Sequence, residues 1–178
     1  THLGDDGPGS LRHGIEGEGP RTIVFEVSGT IALESTLRIS NPRLTVAGQT
    51  APGAGICLRD DSLVIETDDV VIRYLRCRLG DQGDPGDAIS ISRGRNIIVD
   101  HCSASWSTDE VLSASTSSPS LTDITVQWCF ITEALNRSNH GFGSLIRGTG
   151  GARYSFHHNL YAHNRGRNPR PGNYDRNP

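Results

Sequence analysis

The chain returns to the same pattern about every 27 residues, and this limits its fold more than any other property. Five segments are alike: RLTVAGQT from Arg43, DVVIRYLRC from Asp69, NIIVDHCSA from Asn96, DITVQWCFI from Asp123 and RYSFHHNLY from Arg153. Their central apolar residues, Val46, Ile72, Val99, Val126 and Phe156, are separated by 26, 27, 27 and 30 positions. Between them lie SLVIE from Ser62, AISIS from Ala88, VLSAS from Val111 and SLIRG from Ser144. Apolar and polar residues alternate with period two, so each segment buries one face as a strand. No unit of this length closes a core alone. Stacked in parallel at ~4.8 Å per coil, the units line apolar ladders inside a solenoid. A sandwich or propeller also uses short strands, but neither requires a near-constant return. The expected fold is all-β, a parallel β-helix.

The N-terminal stretch GPGSLRHGIEGEGP predicts a cap. Ser10 is an N-cap residue before about two helical turns, and Gly17 and Gly19 stop them. RTIVFEVSGTIAL is then the first coil. One domain over residues 1–178 follows: a cap at 1–21, coils over 22–165, and an arginine loop and tail over 165–178. The far end, RPGNYDRNP, offers no comparable cap. Its apolar ladder and strand edges are expected to be covered, either by missing C-terminal coils of a longer protein or by self-association.

Length and composition agree: 178 residues suffice for a core, and 21 Gly with 9 Pro suit many turns. No apolar run approaches the ~18 residues of a membrane span, and this sequence shows no signal peptide before Thr1, so that either none existed or one was removed. The net charge of −3 conceals an asymmetry. Residues 1–136 hold 10 Arg against 19 acidic residues, whereas residues 137–178 hold 7 Arg against Asp175 alone. An acidic body with a basic end predicts separate cation and anion sites. Nucleic acid is not the expected partner, since the basic end lacks interleaved aromatics and the chain is not basic overall.

Cys102 and Cys129 occupy the same point of successive coils, in line with Leu75 and Asn159. They are ladder neighbours, either free buried thiols or, if their side chains turn toward each other, a disulfide. Cys57 and Cys77 match less closely, and without a Cys-x-x-Cys pair no zinc site is expected. Alternation directs Asp100 outward from Val99, to brace a neighbouring strand. It sends His157 and His158 opposite ways, away from a shared metal. Trp106 and Trp128 suit either packing or stacking on a sugar ring.

GDAISIS, NIIVDHCSASWSTDEVLS, ITVQWCFI and FHHNLYAHNRGRNPR, in this order, resemble the pectate lyases of polysaccharide lyase family 1. SGTIAL, VAGQTAPG and DHCSASWS look most like bacterial members, and the resemblance covers roughly residues 20–170. It implies a right-handed parallel β-helix, a secreted enzyme, and β-elimination on de-esterified polygalacturonate with calcium and an arginine base. The family's asparagine ladder falls at Cys102, Cys129 and Asn159, so two of its three members are replaced.

The residue chemistry points the same way. β-Elimination removes a proton beside a uronate carboxylate, and cations must take up the resulting charge. Oxygen-bound calcium and arginine forks can do so. Asp84 and Asp87 lie in GDQGDPGDAIS, and Asp109 and Glu110 lie in STDEVLS one coil later; these four are the expected metal ligands. The family's carboxylates map onto Asp87 and Asp109, onto Asp84 with a register shift, and onto Ser113, where the carboxylate is missing. The catalytic arginine maps onto Arg167, and a carboxylate-gripping arginine onto Arg170. The family's lysine has no counterpart, because all 17 basic residues are arginine; Arg137 or His140 takes its substrate-binding place. Two other functions compete. A β-helix glycoside hydrolase would use paired carboxylates from Asp87, Asp109 and Glu110, and a non-catalytic module would only bind acidic glycans.

Overall fold

The computed structural model describes residues 2–83, 85–117 and 120–173. They form a parallel β-solenoid of six coils behind one short helix, with three strands per coil. Helix α1 (Leu11–Glu16) begins where Ser10 Oγ accepts the His13 amide, 3.1 Å away, and ends at Gly17. It buries Leu11 and Ile15 at the mouth of the first coil, as the capping pattern predicts.

The first coil holds β1 (Arg21–Ile23), β2 (Gly29–Ala32) and β3 (Leu37–Ile39), and the second holds β4 (Leu44–Ala47), β5 (Ile56–Arg59) and β6 (Leu63–Glu66). The third contains β7 (Val70–Arg73), β8 (Leu75–Arg78) and the beginning of β9 (Ile89–Asp100). The long β9 turns the corner and opens the fourth coil, which continues through β10 (Ser103–Ser105) and β11 (Leu112–Ser115). The fifth has β12 (Leu121–Gln127), β13 (Phe130–Thr132) and β14 (Leu145–Gly148); the sixth has β15 (Tyr154–His157), β16 (Leu160–Ala162) and β17 (Arg170–Asn173). Every pairing between these strands is parallel, and equivalent strands stack into three faces.

The repeat seen in the sequence is the register of the first face. Ile23 pairs with Val46, Val46 with Ile72, Ile72 with Val99, Val99 with Val126, and Val126 with Phe156. The third face carries Ile39, Ile65, Ile91, Ala114 and Ile146 in line. The second face, Ile31, Leu58, Cys77, Ala104, Ile131 and Tyr161, was not legible beforehand. Its later strands have only three residues, too short for periodicity to register. The inward residues through the fifth coil are almost all buried, whereas Phe156 and Tyr161 in the sixth are half-buried. No described coil lies beyond them.

The corners repeat too. Tyr74, His101, Trp128 and His158 each adopt positive φ between the first and second faces, and Arg43, Asp69, Asn96 and Asp123 do so where the second to fifth coils enter the first face. Non-glycine residues rarely adopt this conformation; one per corner turns the strand without a long loop. The corner corrects one expectation. His157 and His158 do not diverge, since their Nδ1 atoms lie 2.7 Å apart. The left-handed φ at His158 breaks the alternation that would have separated them.

Asp100 faces out of the ladder and is nevertheless buried, accepting hydrogen bonds from Arg73 (2.7 Å) and Gln127 (3.0 Å) in the coils on either side. With His101 Nδ1 at 2.6 Å it braces three coils, as expected. Burial alone would raise its pKa; hydrogen bonds from Gln127, His101 and Arg73 outweigh that and hold the carboxyl below the usual range. Cys102 and Cys129 are buried free thiols in the inward ladder, and Asn159 continues it by accepting the Cys129 amide and donating to the Val126 carbonyl, both at 2.9 Å.

Candidate active site

The corner between the second and third faces stacks one column from four coils. Asp87 precedes the third-face portion of β9, Asp109 and Glu110 precede β11, Phe142 and Gly143 precede β14, and Arg167 precedes β17. Parallel bridges join Glu110 to Phe142 and Phe142 to Gly166, so residues 80 positions apart share one surface. The Ala88 amide donates to the Glu110 carbonyl (3.3 Å) and the Gly143 amide to the Gly166 carbonyl (2.9 Å).

Within this column Asp87, Asp109 and Glu110 each present an oxygen, all within 4.8 Å of one another. Asp87 Oδ1 accepts the Glu110 amide at 3.0 Å, and Oδ2 accepts the Ser113 hydroxyl. Ser113 thus fixes the orientation of Asp87 without adding a fourth carboxylate there. Burial, partly offset by the Ser113 hydrogen bond and reinforced by the charge of Asp109, pushes the Asp87 carboxyl up to about 7. Asp109 Oδ1 is enclosed without a hydrogen bond, 3.4 Å from His140 Nε2. A clustered set of hard oxygen donors, one orphaned and one driven toward protonation, fits a hard divalent cation.

Arg167 approaches from the sixth coil. Its guanidinium donates to Glu110 Oε1 and lies 4.0 Å from the centre of the Phe142 ring. Both charged side chains are largely shielded, 19% and 5% exposed, which strengthens their attraction. The loop that presents Arg167 presses on Gly143: a Cβ there would meet the Arg167 carbonyl at 2.6 Å. That carbonyl accepts the Ser144 amide at 2.6 Å, and Tyr161 Oη donates to Ser144 Oγ at 3.1 Å. The Arg165 amide donates to the Gly141 carbonyl at 2.8 Å and ties this loop to the one carrying His140.

Arg137 and His140 form a bridged turn whose arginine donates to the Asp81 carbonyl at 3.3 Å. Together with Asp109 and Pro85 they line a cleft of about 240 Å³. Arg170, placed in the arginine loop by the sequence, instead opens β17, where it pairs with Leu145 and is exposed. The structure therefore brings Asp87, Asp109, Glu110, His140 and Arg167 into one site. Asp84 lies outside the described residues. Sequence reasoning missed Phe142 as the seat of Arg167, although it stands in the NHGFGS segment that drew attention to His140.

No protein-family model matches the chain. Over 172 residues, 96% of this chain, it is 42% identical to "Probable pectate lyase C" of Emericella nidulans and 40% identical to the protein so named in Aspergillus terreus. Over 145 residues, 72% of the chain, it is 35% identical to "Probable pectate lyase P56" of Solanum lycopersicum. The chain spans 39% of the length of the two fungal relatives and 35% of the plant one.

Proposed function

We propose that the chain acts as a pectate lyase, cleaving de-esterified polygalacturonate by β-elimination. The observation that carries this reading is the single column in which three clustered carboxylates face a shielded arginine. Similarity to proteins named pectate lyase supports it independently.

Asp87, Asp109 and Glu110 would hold calcium, and Asp84 is the remaining candidate ligand. When bound, that ion would supply positive charge for the substrate carboxylate and for the enolate that forms beside it. Arg167 would withdraw the proton from carbon 5 of the uronate. The electron pair of that bond forms the double bond between carbons 4 and 5, the bond from carbon 4 to the glycosidic oxygen breaks, and the leaving oxygen takes up a proton. A guanidinium serves as base only after losing its own proton, which alkaline pH and neighbouring cations favour. Arg137 and His140 line the adjoining cleft and would grip an adjacent carboxylate; Arg170, on the exposed third face, is the outermost candidate. An extracellular location follows from the same reading, because polymeric pectin lies outside cells.

One observation favours a second reading. A buried carboxyl raised to about 7 beside ionisable neighbours is also how a glycoside hydrolase prepares its acid. The products separate the two. Incubation with polygalacturonate should give the ultraviolet absorbance of an unsaturated uronate, rising with calcium and with pH and abolished by chelator. Arg167→Ala should remove that activity while leaving the circular dichroism of the β-fold unchanged. Calcium-independent cleavage with only saturated ends would transfer the site to hydrolysis, and full turnover by Arg167→Ala would remove the proposed base.

A further inference from the structure

A different edge of the solenoid carries a second concentration of chemistry. At the corner between the first and second faces, Tyr74, His101, Trp128 and His158 stack from coil to coil, with ring centres 4.8, 6.0 and 4.3 Å apart. Beside them the outward positions of the second face place Arg76, Ser103 and Phe130 in register on three successive coils. A groove of about 320 Å³ runs between the stack and this row. Trp128 and Phe130 are 50% and 54% exposed there, a large apolar area for a protein to leave in water.

Arg76 is the unusual member. Its Nε is enclosed and makes no hydrogen bond, and no described residue pairs with its guanidinium. Neighbouring arginines are engaged: Arg73 with Asp100 at 2.7 Å, and Arg78 with the Ser103 carbonyl and hydroxyl at 2.8 and 2.7 Å. The groove lining contains Arg76 and His101 but no carboxylate. Asp100, the acid beside it, is already committed to Arg73, Gln127 and His101. An unpaired, partly desolvated guanidinium in a groove without acids is complementary to an anion, and its planar fork suits a carboxylate.

The rings narrow the class further. Both faces of Trp128 are covered, by His101 and by His158, so no flat base can slide between the stacked rings. Phe130 has no ring stacked on it among the described residues, and with the edge of Trp128 it offers an apolar wall. Arg76 and Phe130 stand two coils apart, about 10 Å at the parallel spacing, enough to hold a carboxylate at one end and a ring at the other.

We propose that this groove is a second glycan-binding site, apart from the carboxylate and arginine column, which holds a carboxylated sugar oligomer. The uronate carboxylate sits on Arg76, and a sugar ring lies against Phe130 and Trp128. The choice of a uronate rests on the proposed function; the cationic, aromatic-walled groove does not. Such a site would keep the chain on an acidic polysaccharide between encounters with the column.

Trp128 can report on the groove directly. In a Trp106→Phe background it is the sole tryptophan. The probe is trigalacturonate, added to the full chain in chelator, with neutral trigalactose as control. The fluorescence of Trp128 should change saturably with trigalacturonate and not with trigalactose. Arg76→Gln, with unchanged circular dichroism, should weaken binding at least tenfold, and Phe130→Ala should weaken it as well. Absence of a saturable signal, equal response to the neutral sugar, or undiminished binding by Arg76→Gln would each overturn the site. Lyase turnover is measured separately with calcium. Turnover without groove binding defeats this inference alone, and groove binding without turnover defeats only the lyase reading.

Discussion

Asp87 concentrates the electrostatics of the site in one side chain. Its carboxyl is pushed up to about 7, chiefly by burial, from an ordinary value near 3.8. The folded protein therefore retains a proton there that the unfolded chain releases. Its stabilising share is complete at pH values below the ordinary carboxylate range and is lost as pH rises through about 7. In chelator, stability measured by urea unfolding should fall between pH 4.5 and 7.5 by roughly a few kcal/mol, and Asp87→Asn should flatten that slope. Calcium should reverse the trend, because oxygen ligands bind it in their ionised form. A wild-type curve unaffected by the substitution would remove Asp87 as its source. Ser113 brings a hydroxyl rather than a charge to the column, while Glu110 brings a carboxylate and gives it to Arg167.

At the scale of the element, the corners decide whether a coil can close. Gly94 turns β9 from the third face into the first with φ of 115°, and a Cβ there would stand 2.1 Å from the Thr67 carbonyl oxygen. Gly80 is also left-handed, with φ of 80°, but has open space around its Cβ position. Gly80→Ala should therefore cost about 1 kcal/mol, the conformational penalty alone. Gly94→Ala adds a backbone collision and should cost about 3 kcal/mol or more. Urea midpoints at a constant m-value measure the difference, and equal losses would mean that the collision relaxes freely. The same corners explain what eluded sequence reasoning. A left-handed residue turns the chain within a single position, so His158 departs from strand alternation and the second face begins without a break in composition.

For the whole molecule, a solenoid is a sum of coils, each stabilised by its neighbours. Interior strands β7 and β9 have a coil on both sides, whereas β15–β17 have a described neighbour on one side only. Amide hydrogen exchange of this chain should be slowest in β7 and β9 and faster by at least tenfold in β15–β17. Uniform protection through the sixth coil would mean that its half-buried ladder is covered in solution. The fold itself was legible because a constant return places identical inward positions in register: Val46, Ile72, Val99, Val126 and Phe156 had only one way to stack. The capping helix was legible from Ser10, and the carboxylates and Arg167 from their motifs. The sequence by itself determined the coil repeat, the ladders and the residue types available for a cation and an anion, since these depend on local periodicity and spacing. Only the tertiary structure decided that Glu110 meets Arg167 over the ring of Phe142, and that Arg76 finds no partner among the described residues beside the aromatic rings, because both depend on side chains from different coils converging across a surface.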